Sequence, residues 1–247
     1  MNSNLFIRKI VLDRDKIDNL NKYPFNIDIV KNFEELEFNK PVTFFIGENG
    51  IGKSTFIEAI AVSLGLNPEG GTNNFMFKSS DTHSSLHNYL HVLTYNTPKI
   101  KFFLRAESFY NFGTEVNRLI EENSFLKLKR LYGDLHACSH GESFIQLVKN
   151  RFIPHGLYIL DEPESALSPE RQMTLLCLID DLVKQGSQFI IATHSPILIS
   201  YINGEILDLN NDFKVTKYED SEIYRTYKMY LDDPYGMQRR LFEEEND

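Results

Sequence analysis

A glycine-rich stretch with one lysine and one serine is the part of this sequence best suited to chemistry. Residues 44–55 read FFIGENGIGKST and contain the spacing G-x-x-x-x-G-K-[ST]. Glycines let backbone N–H groups converge on one anion, the lysine can reach the outer phosphates, and the serine hydroxyl can take a place on Mg²⁺. The stretch, here called the phosphate loop (47–55), therefore predicts a nucleoside triphosphate site. The predicted phosphate-binding residues are Gly47, Glu48, Asn49, Gly50, Ile51, Gly52, Lys53, Ser54 and Thr55.

Two neighbouring acids follow an apolar run later in the chain. Asp161 and Glu162 come directly after LYIL in the stretch LYILDEPE. A carboxylate at the carboxyl end of a buried parallel strand faces the ligand crevice of the sheet. Asp161 can therefore hold Mg²⁺ opposite Ser54, and Glu162 can polarise a water in line with the terminal phosphate. The alternative is a strand end that only carries surface acids.

Two further segments could contact phosphate. Ser139, His140, Gly141 and Glu142 open a predicted helix, where free backbone N–H groups and a hydroxyl could make a second anion site. Serine and glycine also begin many helices as simple caps. His194 directly follows the apolar run QFIIAT and could hydrogen-bond a terminal phosphate or an attacking water, although a histidine after a strand is more often a satisfied loop residue.

Apolar runs and helical patterns alternate around these residues. The apolar run at 41–46 and the helical pattern at 55–64 give the phosphate loop the strand–loop–helix setting that its motif requires. Uninterrupted apolar strands between helices predict an α/β fold with a mainly parallel central sheet. We expect further strands at 5–12, 25–30, 33–38, 100–104, 157–160, 188–193, 205–209 and 214–218, the first three forming an antiparallel β part. We expect helices at 84–93, 142–152 and 169–184, mostly helical structure at 109–137, and one or two tyrosine-bearing helices near the end.

Length and composition favour one soluble domain. The 247 residues fit a single domain, 1–247, with a small helical subdomain or lid at about 109–152. We expect a cytoplasmic protein, because the first residues carry charges that a secretory signal lacks and no apolar run approaches the ~20 residues of a membrane span. The net charge of −9 lowers the expectation of nucleic-acid binding, which usually needs a basic surface.

The order of these features resembles that of ATP-binding-cassette (ABC) ATPases, including their SMC and recombination-repair relatives, over nearly the whole chain. The stretches FFLRAESF, SHGES, LDEPESALSP and FIIATHSPIL further resemble a group of small, stand-alone predicted ATPases of bacteria. The resemblance implies a P-loop NTPase fold of the ABC-ATPase type, with ATP and Mg²⁺ as ligands. It identifies GENGIGKS with Lys53 as Walker A, 158–162 as Walker B with Glu162 as catalytic glutamate, 165–168 as the D-loop, and His194 as the switch histidine.

The resemblance also implies a homodimer when ATP is bound. In such proteins two chains meet head to tail, and the signature helix of each chain caps the ATP held by the other. Ser139, His140, Gly141 and Glu142 stand for that signature here, with His140 in place of a glycine and Glu142 in place of a glutamine. The family's Q-loop glutamine, which serves Mg²⁺ and water, has no obvious counterpart, and Glu107 is our candidate for that metal-binding role.

Two weaker signals leave alternatives open. Arg105 could contact phosphate or form a surface salt bridge. His83, His87 and His91 recur every fourth residue around the helix expected at 84–93 and could bind zinc. A solvated helix face is the preferred interpretation of the histidines, because no carboxylate joins them.

We expect an ATPase in which ATP binding and Mg²⁺-dependent hydrolysis drive a cycle of head-to-tail dimerisation: ATP closes two chains, hydrolysis opens them, and an unknown effector protein responds to the change. One alternative is the nucleotide-binding subunit of an ABC transporter, which the short 109–137 segment and the altered signature disfavour. Another is a DNA-repair or defence-associated SMC-like ATPase acting on nucleic acid, although the sequence has no heptad run of useful length for a coiled-coil arm.

Overall fold

Two β-sheets organise the residues described in the computed structural model, which are 5–68, 70–71, 84–107 and 140–243. The strands are β1 (Ile7–Leu12), β2 (Glu35–Glu37), β3 (Val42–Ile46), β4 (Leu90–Thr94), β5 (Ile100–Arg105), β6 (Gly156–Asp161), β7 (Gln188–Ala192), β8 (Gly204–Asp208) and β9 (Lys214–Thr216). A three-stranded antiparallel sheet has the order β2-β1-β4, and a six-stranded sheet has the order β5-β6-β7-β3-β8-β9. The larger sheet is parallel from β5 to β8 and gains an antiparallel edge at β9.

Helices flank the larger sheet and continue beyond it. The described α-helices are α1 (Asp28–Lys31), α2 (Lys53–Ser63), α3 (His140–Arg151), α4 (Pro169–Lys184), α5 (Glu222–Asp232) and α6 (Pro234–Glu243). None of these helices is both long enough and apolar enough to cross a membrane. The mixed α/β fold with a mainly parallel central sheet and a separate antiparallel sheet confirms the expected fold class.

The central strands place the candidate functional residues at one edge of the sheet. Strands β3, β6 and β7 are buried along their whole length, as expected for parallel strands covered on both faces. Ala192 at the end of β7 is aligned with Phe45 of β3 and with Asp161 of β6. The chain segments that follow these strands therefore leave the sheet side by side, and they carry the phosphate loop, Glu162 and His194.

The larger sheet is the middle layer between two apolar clusters. Successive side chains of a strand point to opposite faces, and in β3 Phe45 packs in one cluster while Phe44 packs in the other. The Phe45 cluster includes Phe56 of α2 and the apolar side chains of the antiparallel sheet. The Phe44 cluster includes Phe144 of α3 and Ile179 of α4. Helices packed on both faces hold the functional edge of the sheet in place.

A buried amide joins the two sheets. The Gln188 side chain, at the start of β7, accepts hydrogen bonds from the backbone N–H groups of Phe6 (2.8 Å) and Ile7 (2.9 Å) through Oε1. Its Nε2 donates to the Ile7 carbonyl oxygen at 3.0 Å. Gln188 is fully buried, so these bonds satisfy backbone groups that water does not reach.

Most of the expected elements are confirmed. Strands β3 and β5 to β9 lie within about one or two residues of their expected positions, and α4 covers the expected range 169–184. Helix α3 matches the helix expected at 142–152, with a start two residues earlier. The helical structure expected at 109–137 lies outside the described residues, so of the expected lid only residues 140–152 are described.

The strand expected at 25–30 is wrong, because α1 begins at Asp28. The reason is a tertiary contact that cannot be predicted from the spacing of apolar residues along the chain. Ile27 and Ile29 lie against Gly52, the residue that caps the start of α2, and Ile29 is buried there. A single helical turn buries these apolar side chains against the phosphate loop, whereas a strand would need a pairing partner.

The helix expected at 84–93 is also wrong. Ser85–Tyr89 forms a short 3₁₀ helix, and the following residues form β4, which pairs with β1. Cross-strand pairing has overridden the helical spacing of the apolar residues Leu86, Leu90 and Leu93.

The histidine row therefore does not share a helix face. His87 lies in the 3₁₀ helix and His91 in β4, whereas His83 lies outside the described residues. His91 Nε2 lies 3.1 Å from Asp13 Oδ2. In the part of the chain that the structure describes, no group of three or more His, Cys, Asp or Glu side chains is arranged to hold a metal ion.

Replacing the joining amide should destabilise the fold. Gln188→Leu leaves the Phe6 and Ile7 backbone groups without their partners in a buried setting. We expect the free energy of unfolding to fall by about 3 kcal/mol or more, because three buried groups lose their partner and each costs about 1–3 kcal/mol. Urea denaturation followed by circular dichroism measures the change.

The matched control is Gln185→Leu, because Gln185 is exposed and its side-chain amide donates to the Asp181 carbonyl oxygen within the same helix end. This variant should change the free energy of unfolding by no more than about 0.5 kcal/mol. Equal losses in the two variants would show that the amide at 188 has no special role in joining the sheets.

Candidate active site

The phosphate loop has a backbone that glycine alone adopts easily. Gly52, the N-cap of α2, has φ of 110°, and a Cβ placed there would lie 2.6 Å from Ile27 Cγ2. Gly50 has φ of 82°. Left-handed backbone at these positions lets the loop turn back over the N-terminus of α2, where the helix dipole and free N–H groups favour an anion.

Lys53 bends back over the loop that precedes it. Its Nζ donates to the carbonyl oxygens of Gly47 (2.8 Å) and Glu48 (2.7 Å), and the residue is only 4% exposed. Burial lowers the pKa of Lys53, and the nearby carboxylates of Glu162 and Asp161 oppose that shift. The ammonium group is therefore held at the mouth of the loop, where outer phosphates would replace the carbonyl oxygens as partners.

Ser54 and Asp161 meet as the sequence predicts. Ser54 Oγ donates to Asp161 Oδ1 at 3.2 Å. Asp161 is 3% exposed, and burial raises its pKa to about 6 although the Arg105 guanidinium opposes the shift. A hydroxyl and a carboxylate are hard oxygen ligands of the kind that Mg²⁺ prefers. Together with a cavity of about 400 Å³ that Glu107 and Glu162 also line, they fit a magnesium ion.

Arg105 is part of a half-buried ion-pair network. Its Nη1 lies 3.0 Å from Glu58 Oε2 on α2, and its Nε lies 3.4 Å from Asp161 Oδ2 without a hydrogen bond. Glu107 Oε2 is 3.8 Å from Nη2, and the Glu107 side chain is largely exposed. Arg105 therefore forms ion pairs inside the site rather than on the surface, and its contact with phosphate stays a prediction.

Glu162 and His194 face each other across the ends of β6 and β7. His194 Nε2 lies 3.8 Å from Glu162 Oε1. Glu162 has a left-handed backbone (φ 48°, ψ 51°), and its N–H donates to the Ala192 carbonyl oxygen at 2.9 Å. Burial and the Lys53 charge lower the pKa of His194, while Glu162 raises it. The imidazole is therefore favoured in its neutral form, with Nε2 buried and without a hydrogen-bond partner among the described residues.

Two residues that sequence reasoning missed hold this region together. Glu164 Oε1 accepts a hydrogen bond from the His194 N–H at 2.5 Å, and burial raises the pKa of Glu164. Asn210 Oδ1 accepts from the Glu48 N–H at 3.1 Å and so fixes the start of the phosphate loop. The extra acid in DEPE was a visible signal for Glu164, whereas no sequence pattern marks Asn210 because its contact spans 162 residues.

A second cavity, of about 560 Å³, lies in front of the phosphate loop. Glu48, Glu162 and His194 line one side of it. Glu222 and Tyr227 from α5 line another side. The C-terminal part of the chain therefore returns to the site, which places a helix beside the residues expected to surround the terminal phosphate.

The expected signature segment is described only in part. Ser139 lies outside the described residues, and His140 begins α3. A Cβ on Gly141 would lie 2.8 Å from Arg171 Nη1 and 3.0 Å from the Ala166 carbonyl oxygen. Glu142 Oε1 lies 2.9 Å from Arg171 Nη2. Gly141 and Glu142 thus adjoin α4 and the turn before it.

The AAA domain family matches residues 16–152, which is more than half of the chain. The chain belongs to the AAA domain family. A second match, to the family described as "AAA domain, putative AbiEii toxin, Type IV TA system", covers residues 126–200. These matches agree with the resemblance to P-loop ATPases of the ABC/SMC type, which is confirmed at the level of family and fold class.

Individual relatives are more distant. An "Uncharacterized ABC transporter ATP-binding protein" of Haemophilus influenzae is 28% identical over 203 residues, which cover 72% of this chain and 73% of the relative. The solved structure of CbiO1 from Clostridium perfringens, part of the ABC transporter complex CbiONQ, has a TM-score of 0.46 at 16% identity, with 97% of this chain and 100% of that chain covered. The SMC head domain from Thermotoga maritima has a TM-score of 0.40 at 14% identity, with 82% and 95% covered.

Removing the charge of Asp161 should stabilise the nucleotide-free protein. Because burial raises the pKa of Asp161 to about 6, the ionised carboxylate is less favourable in the folded than in the unfolded chain. The stabilisation that protonation provides is fully present below about pH 4 and is lost as the pH rises through about 6. In urea denaturation at neutral pH we expect Asp161→Asn to raise the free energy of unfolding by about 2 kcal/mol.

Asp180→Asn on α4 is the matched control. The hydrogen bond from Lys184 lowers the pKa of Asp180, so this substitution should bring no gain. The difference between Asp161→Asn and the wild type should also shrink below about pH 4. A gain of equal size in both variants, or one that does not depend on pH, would contradict the burial argument.

Proposed function

We propose that this chain binds ATP with Mg²⁺ and hydrolyses it to ADP and phosphate. The observation that carries the proposal is the convergence of three chain segments at one edge of the parallel sheet. The phosphate loop meets the end of β6 where Ser54 Oγ lies 3.2 Å from Asp161 Oδ1. The segment after β7 joins them where His194 Nε2 lies 3.8 Å from Glu162 Oε1.

Binding would use the phosphate loop and the two metal-site residues. The N–H groups of the loop and the Lys53 ammonium would bind the β- and γ-phosphates. Ser54 and Asp161, with Glu107 nearby, would hold Mg²⁺, which neutralises charge on the phosphates. ATP rather than GTP is favoured by the family likeness.

Hydrolysis would use Glu162 and His194. Glu162 orients a water and accepts its proton as the water oxygen bonds to the terminal phosphorus, and the bond from that phosphorus to the oxygen of ADP breaks. His194, favoured in its neutral form, donates a hydrogen bond to the terminal phosphate. Placing the base correctly is worth about 10²–10⁴-fold in rate.

We further propose that a second copy of the chain completes the site. The Glu162 side chain is 40% exposed, so bulk water reaches the carboxylate that would act as the base. The predicted signature 139–142 of a partner, whose described part opens α3, would bring helix N–H groups to the terminal phosphate and exclude water. ATP would thus close a head-to-tail homodimer and hydrolysis would open it, which makes the protein a switch for an effector protein.

A second candidate function is the nucleotide-binding subunit of an ABC transporter. The observation that favours it is the likeness to the Haemophilus influenzae protein, whose name places it with ABC transporters. Purification from the native host in mild detergent separates the two candidates. A stable complex with membrane-spanning subunits would support the transporter, and recovery with a soluble partner would support the switch.

Glu162→Gln should trap the proposed ATP-bound dimer. The amide cannot accept the proton of the attacking water, so we expect phosphate release to fall by about 10²–10⁴-fold while ATP binding persists. With Mg²⁺ and ATP the variant should sediment as a dimer, and without nucleotide as a monomer. Phosphate release and analytical ultracentrifugation measure the two effects.

Glu170→Gln is the matched control, because Glu170 is exposed on the first turn of α4. It should hydrolyse ATP at close to the wild-type rate. A Glu162→Gln protein that binds ATP but stays monomeric at every protein concentration tested would contradict the dimer proposal and leave ATP binding in place.

A further inference from the structure

The first turn of α4 touches three segments to which the proposed function assigns roles. Ser168 caps the helix, with its side chain accepting from the Arg171 N–H at 3.4 Å. Arg171 and Gln172 follow each other in this turn, so their side chains project about 100° apart around the helix axis. One reaches the start of α3, and the other reaches the loop that carries His194.

Arg171 fixes the start of α3. Its Nη2 lies 2.9 Å from Glu142 Oε1, and its stem and guanidinium lie so close to Gly141 that a Cβ there would be 2.9 Å from Cδ and 2.8 Å from Nη1. Both charged groups are partly exposed, so the ion pair by itself adds little stability. The close packing against Gly141 is what makes the position of α3 depend on Arg171.

Gln172 fixes the loop after β7. Its Oε1 accepts a hydrogen bond from Ser195 Oγ at 2.5 Å, and its Nε2 donates to the Leu167 carbonyl oxygen at 3.1 Å. Ser195, which follows His194 in the chain, is buried. The Ser195 hydroxyl oxygen also accepts from the backbone N–H of Leu198 at 3.1 Å, so the hydroxyl has little freedom to turn. The amide thus links the D-loop segment to the switch histidine through short, fixed contacts.

We propose that Arg171 and Gln172 couple the two ATP sites of the dimer. The inference rests on the proposed function, in which the start of α3 serves the nucleotide of the partner and His194 serves the nucleotide of its own chain. Both contacts come from one turn of a 16-residue helix, whose backbone hydrogen bonds hold neighbouring residues in a fixed relation. A shift of α3 when the partner binds ATP therefore reaches His194 through Arg171, the helix turn and Gln172.

The two residues act as positioning residues, since neither lines the cavities beside the phosphate loop. The consequence is cooperativity between the sites. Coupling of this kind raises the Hill coefficient of ATP hydrolysis above about 1, towards a limit of about 2 for two sites. Loss of either contact should uncouple the sites and leave each able to bind nucleotide.

The test compares variants of the full-length protein with Mg²⁺ and ATP. Gln172→Leu removes both hydrogen bonds, and Gln172→Asn keeps the amide but shortens it so that it cannot reach both partners. We expect the Hill coefficient of phosphate release to fall to about 1 in both variants. In the Glu162→Gln background, dimerisation with ATP should persist in both.

Shortening the side chain tests the Arg171 contact. Arg171→Ala should lower the Hill coefficient to about 1, because it removes the stem and guanidinium that pack against Gly141. Arg171→Lys keeps a long stem and a positive charge beside Glu142 and should retain more of the cooperativity. Gln185→Leu, at the other end of α4, is the control and should keep the wild-type Hill coefficient. Thermal unfolding of each variant checks that a loss of cooperativity is not a loss of folding.

The outcomes separate this proposal from the one on which it rests. If Glu162→Gln dimerises with ATP but the wild type has a Hill coefficient of about 1, or the Gln172 variants keep the wild-type value, the coupling is refuted and the proposed function stands. If Glu162→Gln does not dimerise, the proposed switch itself fails and the coupling fails with it.

Discussion

Charge held away from water at the carboxyl edge of β3, β6 and β7 is the constraint on which the candidate site depends. An isolated buried charge is costly, so each ionised group there must have partners. Lys53 finds two carbonyl oxygens of the phosphate loop, and Asp161 finds the Ser54 hydroxyl and the Arg105 guanidinium. A nucleotide with its metal ion offers the same kinds of partner in a stronger form. The charged groups whose burial is unfavourable in the nucleotide-free chain are therefore the groups suited to bind a nucleotide and its metal ion.

Arg105 connects the central sheet to the helix packed on one of its faces. It joins Glu58 on α2 to Asp161 on β6, and its own backbone lies at the end of β5, aligned with Asp161. Arg105 therefore links α2, which begins at the phosphate loop, to β6, which ends at Asp161. The apolar clusters on the two faces of the sheet also hold the strands and helices in their relative positions, because close-packed interiors resist small displacements.

Errors in the sequence interpretation fall where tertiary contacts compete with local pattern. The apolar residues around 25–30 fit a strand, but Ile27 and Ile29 pack on Gly52 and the chain forms a helical turn. The segment at 84–93 has helical spacing, but pairing with β1 draws its second half into β4. In each segment a contact with a distant part of the chain, Gly52 for the first and β1 for the second, overrides the local preference.

The sequence by itself determined the order of the chemical groups and their place at the ends of buried strands. The phosphate loop, the acids after β6 and His194 are each read from a few consecutive residues, and parallel strands bring their carboxyl ends together as a matter of geometry. Only the tertiary structure decided which side chains hold those groups in position. Glu164, Asn210 and Gln172 act through partners 30, 162 and 23 residues away. Such contacts depend on how helices and loops pack over the sheet. That packing cannot be predicted from residue spacing along the chain.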